Sequence, residues 1–211
     1  MAGESSAQQQ TAGPLDPRTH EYCCVSPSVA TVVSVASIVT FMVVAQLSRM
    51  RAVARRGETL ARSRGLAHYV AYFFVVPYAV IAARPGPELD VPEPLRWGGL
   101  ALIVLGIAFA IWAIATLGRH YDLELEIHRD HELVRNGPYR FVRHPVYTGL
   151  GLHFAGACLA TGNVLLIAGT LLVTYPALYL RAKTEERLLR ERFGAAYDEY
   201  AREVGMLVPL L

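Results

Sequence analysis

Two stretches of this 211-residue chain hold side chains whose types and spacing can do chemistry: HELVRNGPYRFVRHPVYTGL at 131–150 and LRAKTEERLLRERFGAAYDEY at 180–200. In the first, Asn136-Gly137-Pro138 is a turn signal and His144-Pro145 a helix start, because proline at the first helical position gives up an N–H that has no partner there. The opening turn of that helix presents unpaired backbone N–H groups and a positive dipole end, with His144 and Tyr147 close by. That is a seat for a carboxylate or phosphate. Tyr139, Tyr147, Arg140 and Arg143 are also residue types that anchor a protein at headgroup level without doing chemistry, and spacing alone leaves both readings open. In the second stretch Arg181 and Glu185, and Glu186 and Arg190, lie four apart and can pair on a helix surface. A solvated, ion-paired helix explains that pattern as readily as a site does.

Glu124, Glu126, His128 and His131 form a tempting metal set, and His128 and His131 can share a helix face. No H-E-x-x-H and no nearby cysteine completes it, so no metal is expected. Cys23, Cys24 and Cys158 give neither a disulfide framework nor a C-x-x-C pair. Neither a G-x-G-x-x-G after a strand nor a P-loop is present, so an adenosyl cofactor would need a pocket of a membrane type.

The elements that must position these residues are apolar. The chain is 53% hydrophobic and 18% charged, with a mean hydropathy of +0.30, outside ordinary soluble composition. A net charge of +2, with arginines confined to short connections, argues against a nucleic-acid surface. A spanning helix needs about 20 mostly apolar residues. Residues 25–47, 66–83 and 95–117 qualify, and residues 145–180 contain no Asp, Glu, Lys or Arg. Thr161-Gly162-Asn163 interrupts that run as a turn, dividing it into spans at 145–161 and 163–181 joined as a tight hairpin. The expected fold is an all-α integral membrane protein of about five spans with a C-terminal helix beyond them. Residues 1–22 read as a disordered tail and 23–211 as one membrane domain. The tail lacks the basic start and apolar core of a signal peptide, so the first span is expected to be retained.

Arg49, Arg51, Arg55, Arg56, Arg62 and Arg64 crowd the connection 48–65, which the positive-inside rule assigns to the cytoplasm. Five spans then put the N-terminus and residues 84–94 outside, and return 118–144 and the tail after Arg181 to the cytoplasm. Both polar stretches land on one membrane face.

Taken in order, His131-x-Leu133-Val134-x-x-Gly137-Pro138-Tyr139, Arg143-His144-Pro145-x-Tyr147-x-Gly149, Arg181-x-x-x-Glu185-Glu186 and Phe193-Gly194-x-x-Tyr197-x-x-Tyr200 resemble the isoprenylcysteine carboxyl methyltransferase family, within the wider phospholipid-methyltransferase superfamily. The resemblance covers roughly residues 118–211; the earlier spans are similar only in hydrophobic plan. It implies an integral-membrane methyltransferase whose cofactor, S-adenosylmethionine, sits at the cytoplasmic ends of the last two spans. Position by position, it implies cofactor contacts at His131, Glu132, Leu133, Val134, Tyr139, His144, Pro145, Val146, Tyr147 and Glu185, with Glu124 as a further contact and Arg181 facing the acceptor. The short five-span plan is similar to microbial members.

Methyl transfer from a sulfonium is an in-line displacement, so orienting the acceptor supplies much of the acceleration, on the order of 7–11 kcal/mol in well-oriented cases. In that scheme His131 and His144, with donors at the Pro145 helix start, hold the cofactor carboxylate, Glu185 accepts from its amine or ribose, and Tyr139 or Tyr147 packs on adenine. Arg181 and Glu185 are the catalytic pair. A carboxylate acceptor needs no base, whereas an amine needs one, Glu185 or Glu186. The expected acceptor is lipophilic or amphipathic and enters from the bilayer; a prenyl-cysteine carboxylate, a phospholipid amine and a small thiol are all open. A membrane sterol-type reductase using NADPH shares a similar G-x-Y-x-x-x-R-H-P-x-Y element, though its members are longer. A noncatalytic scaffold or transporter is the third reading, and the lack of an ionisable residue within the spans speaks against an ion pathway.

Overall fold

The computed structural model describes residues 25–53, 59–63, 86–118, 125–128 and 133–209. The expected tail and the expected second span at 66–83 lie outside the described residues, as do Glu124, His131 and Glu132. The body is helical, as the hydropathy predicts: α1, Pro27–Val53; α2, Glu93–Leu117; α3, Pro145–Thr161; α4, Val164–Phe193; and α5, Ala195–Glu203. Among the described residues, three helices are long and apolar enough to cross a membrane: Pro27–Ala52, Glu93–Leu117 and Val164–Phe193. At 17 residues, α3 sits at the short end of the range for a span. One feature departs from an all-α reading: Thr59–Ser63 and Leu125–His128 pair as a short antiparallel ribbon. The ribbon joins the two arginine-rich connections that charge assigns to one face.

α2 and α3 form the tightest pair in the bundle, and glycine is the reason. Gly99 and Gly106 on α2, seven residues apart and so on one helix face, meet Gly156 and Gly149 on α3 running the other way. A Cβ at Gly99 would stand 2.6 Å from Ala160 N and Gly156 O, and one at Gly106 2.5 Å from Gly149 O. Backbones this close leave no room for a methyl group, the small-residue packing that drives helix association in lipid. The small residues of α3 would suit packing inside the hairpin, yet Gly149 and Gly156 serve the contact with α2. Only Gly151 faces the following helix, where Tyr175 Oη donates to its carbonyl at 3.1 Å. Arg96 closes the far end of this pair, its Nη1 donating to Ala160 O at 3.1 Å.

Thr161-Gly162-Asn163 is the turn its composition predicts. Gly162 ends α3 in the left-handed region at φ 67°, where glycine is favoured, and Asn163 caps the next helix by accepting from Leu166 N at 3.0 Å. From there one continuous helix carries both the last apolar span and the charged stretch after it, with no break until Gly194. It is irregular once. Residues Thr170–Thr174 form a π turn immediately before Pro176, whose missing N–H cannot serve a regular α-helical ladder.

The spans also contain an ionisable residue. His153 is fully buried at the middle of α3, its Nε2 3.4 Å from Ser34 Oγ of α1. Absence of Asp, Glu, Lys and Arg from the run hides it from a charge-based reading. A polar contact between helices in an apolar surround is worth roughly 1 kcal/mol. It ties α1 to the glycine-packed pair.

Candidate functional site

The N-terminal turn of α3 faces the charged half of α4. Residues 137–140 form a single 3-10 turn that delivers Val142, Arg143 and His144 to the helix start, with His144 as N-cap and Pro145 at the first position. The sequence favours this: proline suits the first helical position, where its missing N–H leaves no bond unmade, so the imidazole before it falls just outside the helix. On α4, Arg181, Glu185 and Glu186 follow the last apolar residue, Leu180, and Arg181 and Glu185 share a face at i, i+4.

His144 is buried between two carboxylates. Its Nδ1 stands 3.4 Å from Glu185 Oε2 and its Nε2 3.6 Å from Glu186 Oε1, the latter too long for a hydrogen bond. Burial disfavours the imidazolium, but the contact with Glu185 and the negative charge of both Glu185 and Glu186 outweigh it and hold the His144 pKa above its ordinary 6.5. The ring also stacks on Tyr147, 5.8 Å between centroids and 19° from parallel. Tyr147 in turn donates its hydroxyl to Glu185 Oε1 and accepts from Arg181 Nε at 2.7 Å, while Arg181 Nε lies 3.6 Å from Glu185 Oε1. Four of the residues singled out in the sequence thus meet in one cluster: His144, Tyr147, Arg181 and Glu185.

Of the other predicted contacts, Glu124, His131 and Glu132 lie outside the described residues. Leu133 and Val134 are half-buried, as is Val146, while Pro145 and Tyr139 are buried. The Tyr139 carbonyl accepts from Tyr200 Oη at 2.6 Å, which fastens the 3-10 turn to α5. Two residues beside the cluster, Glu186 and Arg143, are not among the predicted cofactor contacts. Glu186 was expected to pair with Arg190 on a solvated surface; the pair forms, at 3.5 Å, but the Glu186 side chain is only 3% exposed. Its principal partner is Arg143, which donates from Nε at 2.8 Å and Nη2 at 2.5 Å, both to Oε1. The adjacency was the available signal: an Arg-His pair on one element faces a Glu-Glu pair on the other.

Beyond α5 the chain returns to the site. Val142 and Gly205 form a parallel bridge, Arg143 N donates to Gly205 O at 2.8 Å, His144 N to Met206 O at 3.1 Å, and Thr148 Oγ1 to Leu207 O at 2.8 Å. Residues 204–207 are therefore a strap across the entry of α3.

The model of the "Isoprenylcysteine carboxyl methyltransferase (ICMT) family" matches residues 99–191, which contain α3 and the whole four-residue cluster. The protein-S-isoprenylcysteine O-methyltransferase of Saccharomyces cerevisiae is 31% identical over 162 residues, 73% of this chain and 68% of that protein. A probable protein-S-isoprenylcysteine O-methyltransferase of rice is 32% identical over 59% of this chain. Methanethiol S-methyltransferase 1 of Bradyrhizobium diazoefficiens is 39% identical over 60% of this chain and 47% of its own length. The solved structure of a eukaryotic intramembrane Ras methyltransferase aligns over 66% of this chain with a TM-score of 0.52 and 27% identity. The chain spans 66% of the rice protein's length and 48% of the solved one's. The order of the motifs, the helical plan that brings them together and these matches agree: the chain belongs to the isoprenylcysteine carboxyl methyltransferase family.

Proposed function

We propose that this protein is an S-adenosylmethionine-dependent methyltransferase that modifies a lipophilic or amphipathic acceptor at the membrane face where α3 begins. The observation that carries the reading is the His144, Tyr147, Arg181 and Glu185 cluster, set at the end of the apolar helices and inside the family-matched segment. A soluble, charged cofactor and a membrane-dissolved acceptor can meet only at such a boundary.

The residues present fit the cofactor. Glu185 is 23% exposed, so its carboxylate can accept from an amine or a ribose hydroxyl. His144 Nε2 is buried with no hydrogen-bond partner among the described residues, and the first turn of α3 supplies main-chain donors at Val146 and Tyr147. Leu133, Val134, Tyr139 and Pro145 give apolar and aromatic surface, with Glu124, His131 and Glu132 as further contacts outside the described residues. When bound, the cofactor supplies an electrophilic methyl group whose C–S bond breaks, with its electron pair to sulfur, as the acceptor's bond forms. The chain's own part is to bind, orient and exclude water, consistent with a reaction governed by positioning.

Arg181 bears on the acceptor. A guanidinium is a permanent cation, and one fixed beside Tyr147 favours an acceptor that arrives as an anion. A prenyl-cysteine carboxylate meets that condition with no base, and the name of the yeast relative points the same way. A thiolate meets it too, and the likeness to a methanethiol S-methyltransferase makes a small thiol the second reading; an alkyl thiol is protonated at neutral pH and must first lose its proton. The arginines of 48–65 put this face in the cytoplasm and the N-terminus outside. The proposed membrane domain is 23–211, with its cofactor core at 118–211.

The test is methyl transfer by the detergent-purified protein from radiolabelled S-adenosylmethionine to an N-acetylated isoprenylcysteine and, separately, to methanethiol. Turnover of the first supports carboxyl methylation, turnover of the second alone transfers the assignment to a thiol, and turnover of neither with no cofactor binding sinks the methyltransferase reading.

A further inference from the structure

We propose that Arg143 and Glu186 are positioning residues of this site: the Arg143 guanidinium clamps the Glu186 carboxylate to the C-terminal strap, and so holds His144 by its backbone and its ring at once. The inference rests on reading the cluster as the cofactor site.

Arg143 spends its donors on two different parts of the chain. Nε and Nη2 both reach Glu186 Oε1, while Nη1 reaches Ala201 O at 2.9 Å and Val204 O. The latter are carbonyls at the end of α5, where helix geometry leaves acceptors without intrahelical donors. A planar guanidinium fork can face two ways like this; a lysine ammonium is a single point. The ion pair is buried, with side-chain exposures of 9% and 3%. Taking two charges out of water opposes folding nearly as strongly as their attraction favours it, so stability alone is a weak account of the pair. What it does supply is a fixed arrangement.

The same oxygen that takes Arg143, Glu186 Oε1, is the one 3.6 Å from His144 Nε2. Where Arg143 pulls the carboxylate therefore decides what the imidazole meets. From the other side, the strap fixes the main chain: its carbonyls at 205 and 206 accept from the N–H groups of Arg143 and His144. Among the described residues, the charged and titratable groups around the ring are Glu185 and Glu186 from α4, Arg143 beside it and Tyr147 stacked on it, with Arg181 and Arg190 behind the two carboxylates. The strap residues Val204, Gly205, Met206 and Leu207 add no charge. Removing either member of the clamp leaves His144 present but misplaced.

The test uses the full chain in detergent with ¹⁵N-labelled histidine, comparing wild type with Glu186→Gln, Arg143→Lys and the paired Arg143→Gln, Glu186→Gln variant. The paired variant guards against misfolding, since it leaves no uncompensated buried charge. His144→Asn identifies the ring signal. Two quantities are read: the titration midpoint of the His144 ring, and the calorimetric Kd for S-adenosylmethionine. Glu186→Gln is expected to lower the midpoint by about one pH unit, the scale of one lost neighbouring charge. It should also weaken cofactor binding about tenfold, as for one charged hydrogen bond. Arg143→Lys, which keeps the charge and loses the fork, should keep most of the midpoint and still weaken binding, and the paired variant should bind as poorly as Glu186→Gln. A folded Glu186→Gln or paired variant with the wild-type midpoint and a Kd within about twofold overturns the proposal. If the wild type itself binds no cofactor, the methyltransferase reading fails, and the midpoint in Glu186→Gln still decides whether the clamp positions the ring.

Discussion

His144 Nδ1 stands 3.4 Å from Glu185 Oε2, across the gap between the first turn of α3 and the charged half of α4. Nothing local brings these residues together; they lie 41 positions apart in the chain. Gly162 and Asn163 set the distance by turning the chain back, the apolar length of α4 sets the depth, and Pro145 fixes the imidazole outside the helix.

That contact makes stability depend on pH. The folded-state pKa of His144 is raised above 6.5 by its two carboxylate neighbours, so its contribution is complete below the unfolded value of about 6.5 and is lost as pH rises through the folded value. The thermal midpoint of the detergent-purified wild type should therefore fall between pH 6.5 and the folded His144 pKa relative to His144→Asn. Parallel curves for the two proteins would contradict the assignment.

Arg181→Ala removes a donor to Tyr147 and the cation placed near the acceptor. S-adenosylmethionine binding should change by less than about threefold, while kcat/KM for a carboxylate acceptor falls by on the order of 10²-fold, the loss of a charged orienting contact. Equal losses in both would show that Arg181 serves the cofactor instead.

Gly106→Leu places a side chain where even a Cβ would be 2.5 Å from Gly149 O. Separating α2 from α3 should cost roughly 1–3 kcal/mol or more, and because α3 carries His144, cofactor binding should weaken as well. Gly98→Leu, at a position where a Cβ would meet nothing within 4 Å among the described residues, is the matched control and should leave the melting midpoint within about 2 °C. Similar losses in the two variants would remove the close approach as the explanation.

Much of this was legible in the sequence because the forces are local or compositional. Apolar run length marks the helices Glu93–Leu117 and Pro145–Thr161, and turn chemistry the break at Gly162. The ordered motifs brought His144, Tyr147, Arg181 and Glu185 to one end. What escaped was long-range. The partner of Gly149 and Gly156 is α2 and not the hairpin neighbour, a choice made by complementary glycines 43 and 57 residues away in the chain. Glu186 reads as a surface residue by its i, i+4 arginine, because a sequence pattern does not reveal that Arg143 will reach it across the gap. The strap was invisible for the same reason: Val204, Gly205, Met206 and Leu207 contribute mainly carbonyls, which every residue has.

The central claim is that this cluster binds S-adenosylmethionine, and calorimetric titration of the detergent-purified protein with S-adenosylmethionine and S-adenosylhomocysteine tests it directly. Saturable binding to the wild type, lost or weakened at least about tenfold in both His144→Ala and Glu185→Ala variants that keep their helical content, is the predicted result. A well-folded wild type that binds neither compound, or variants that bind as tightly as it does, would contradict it.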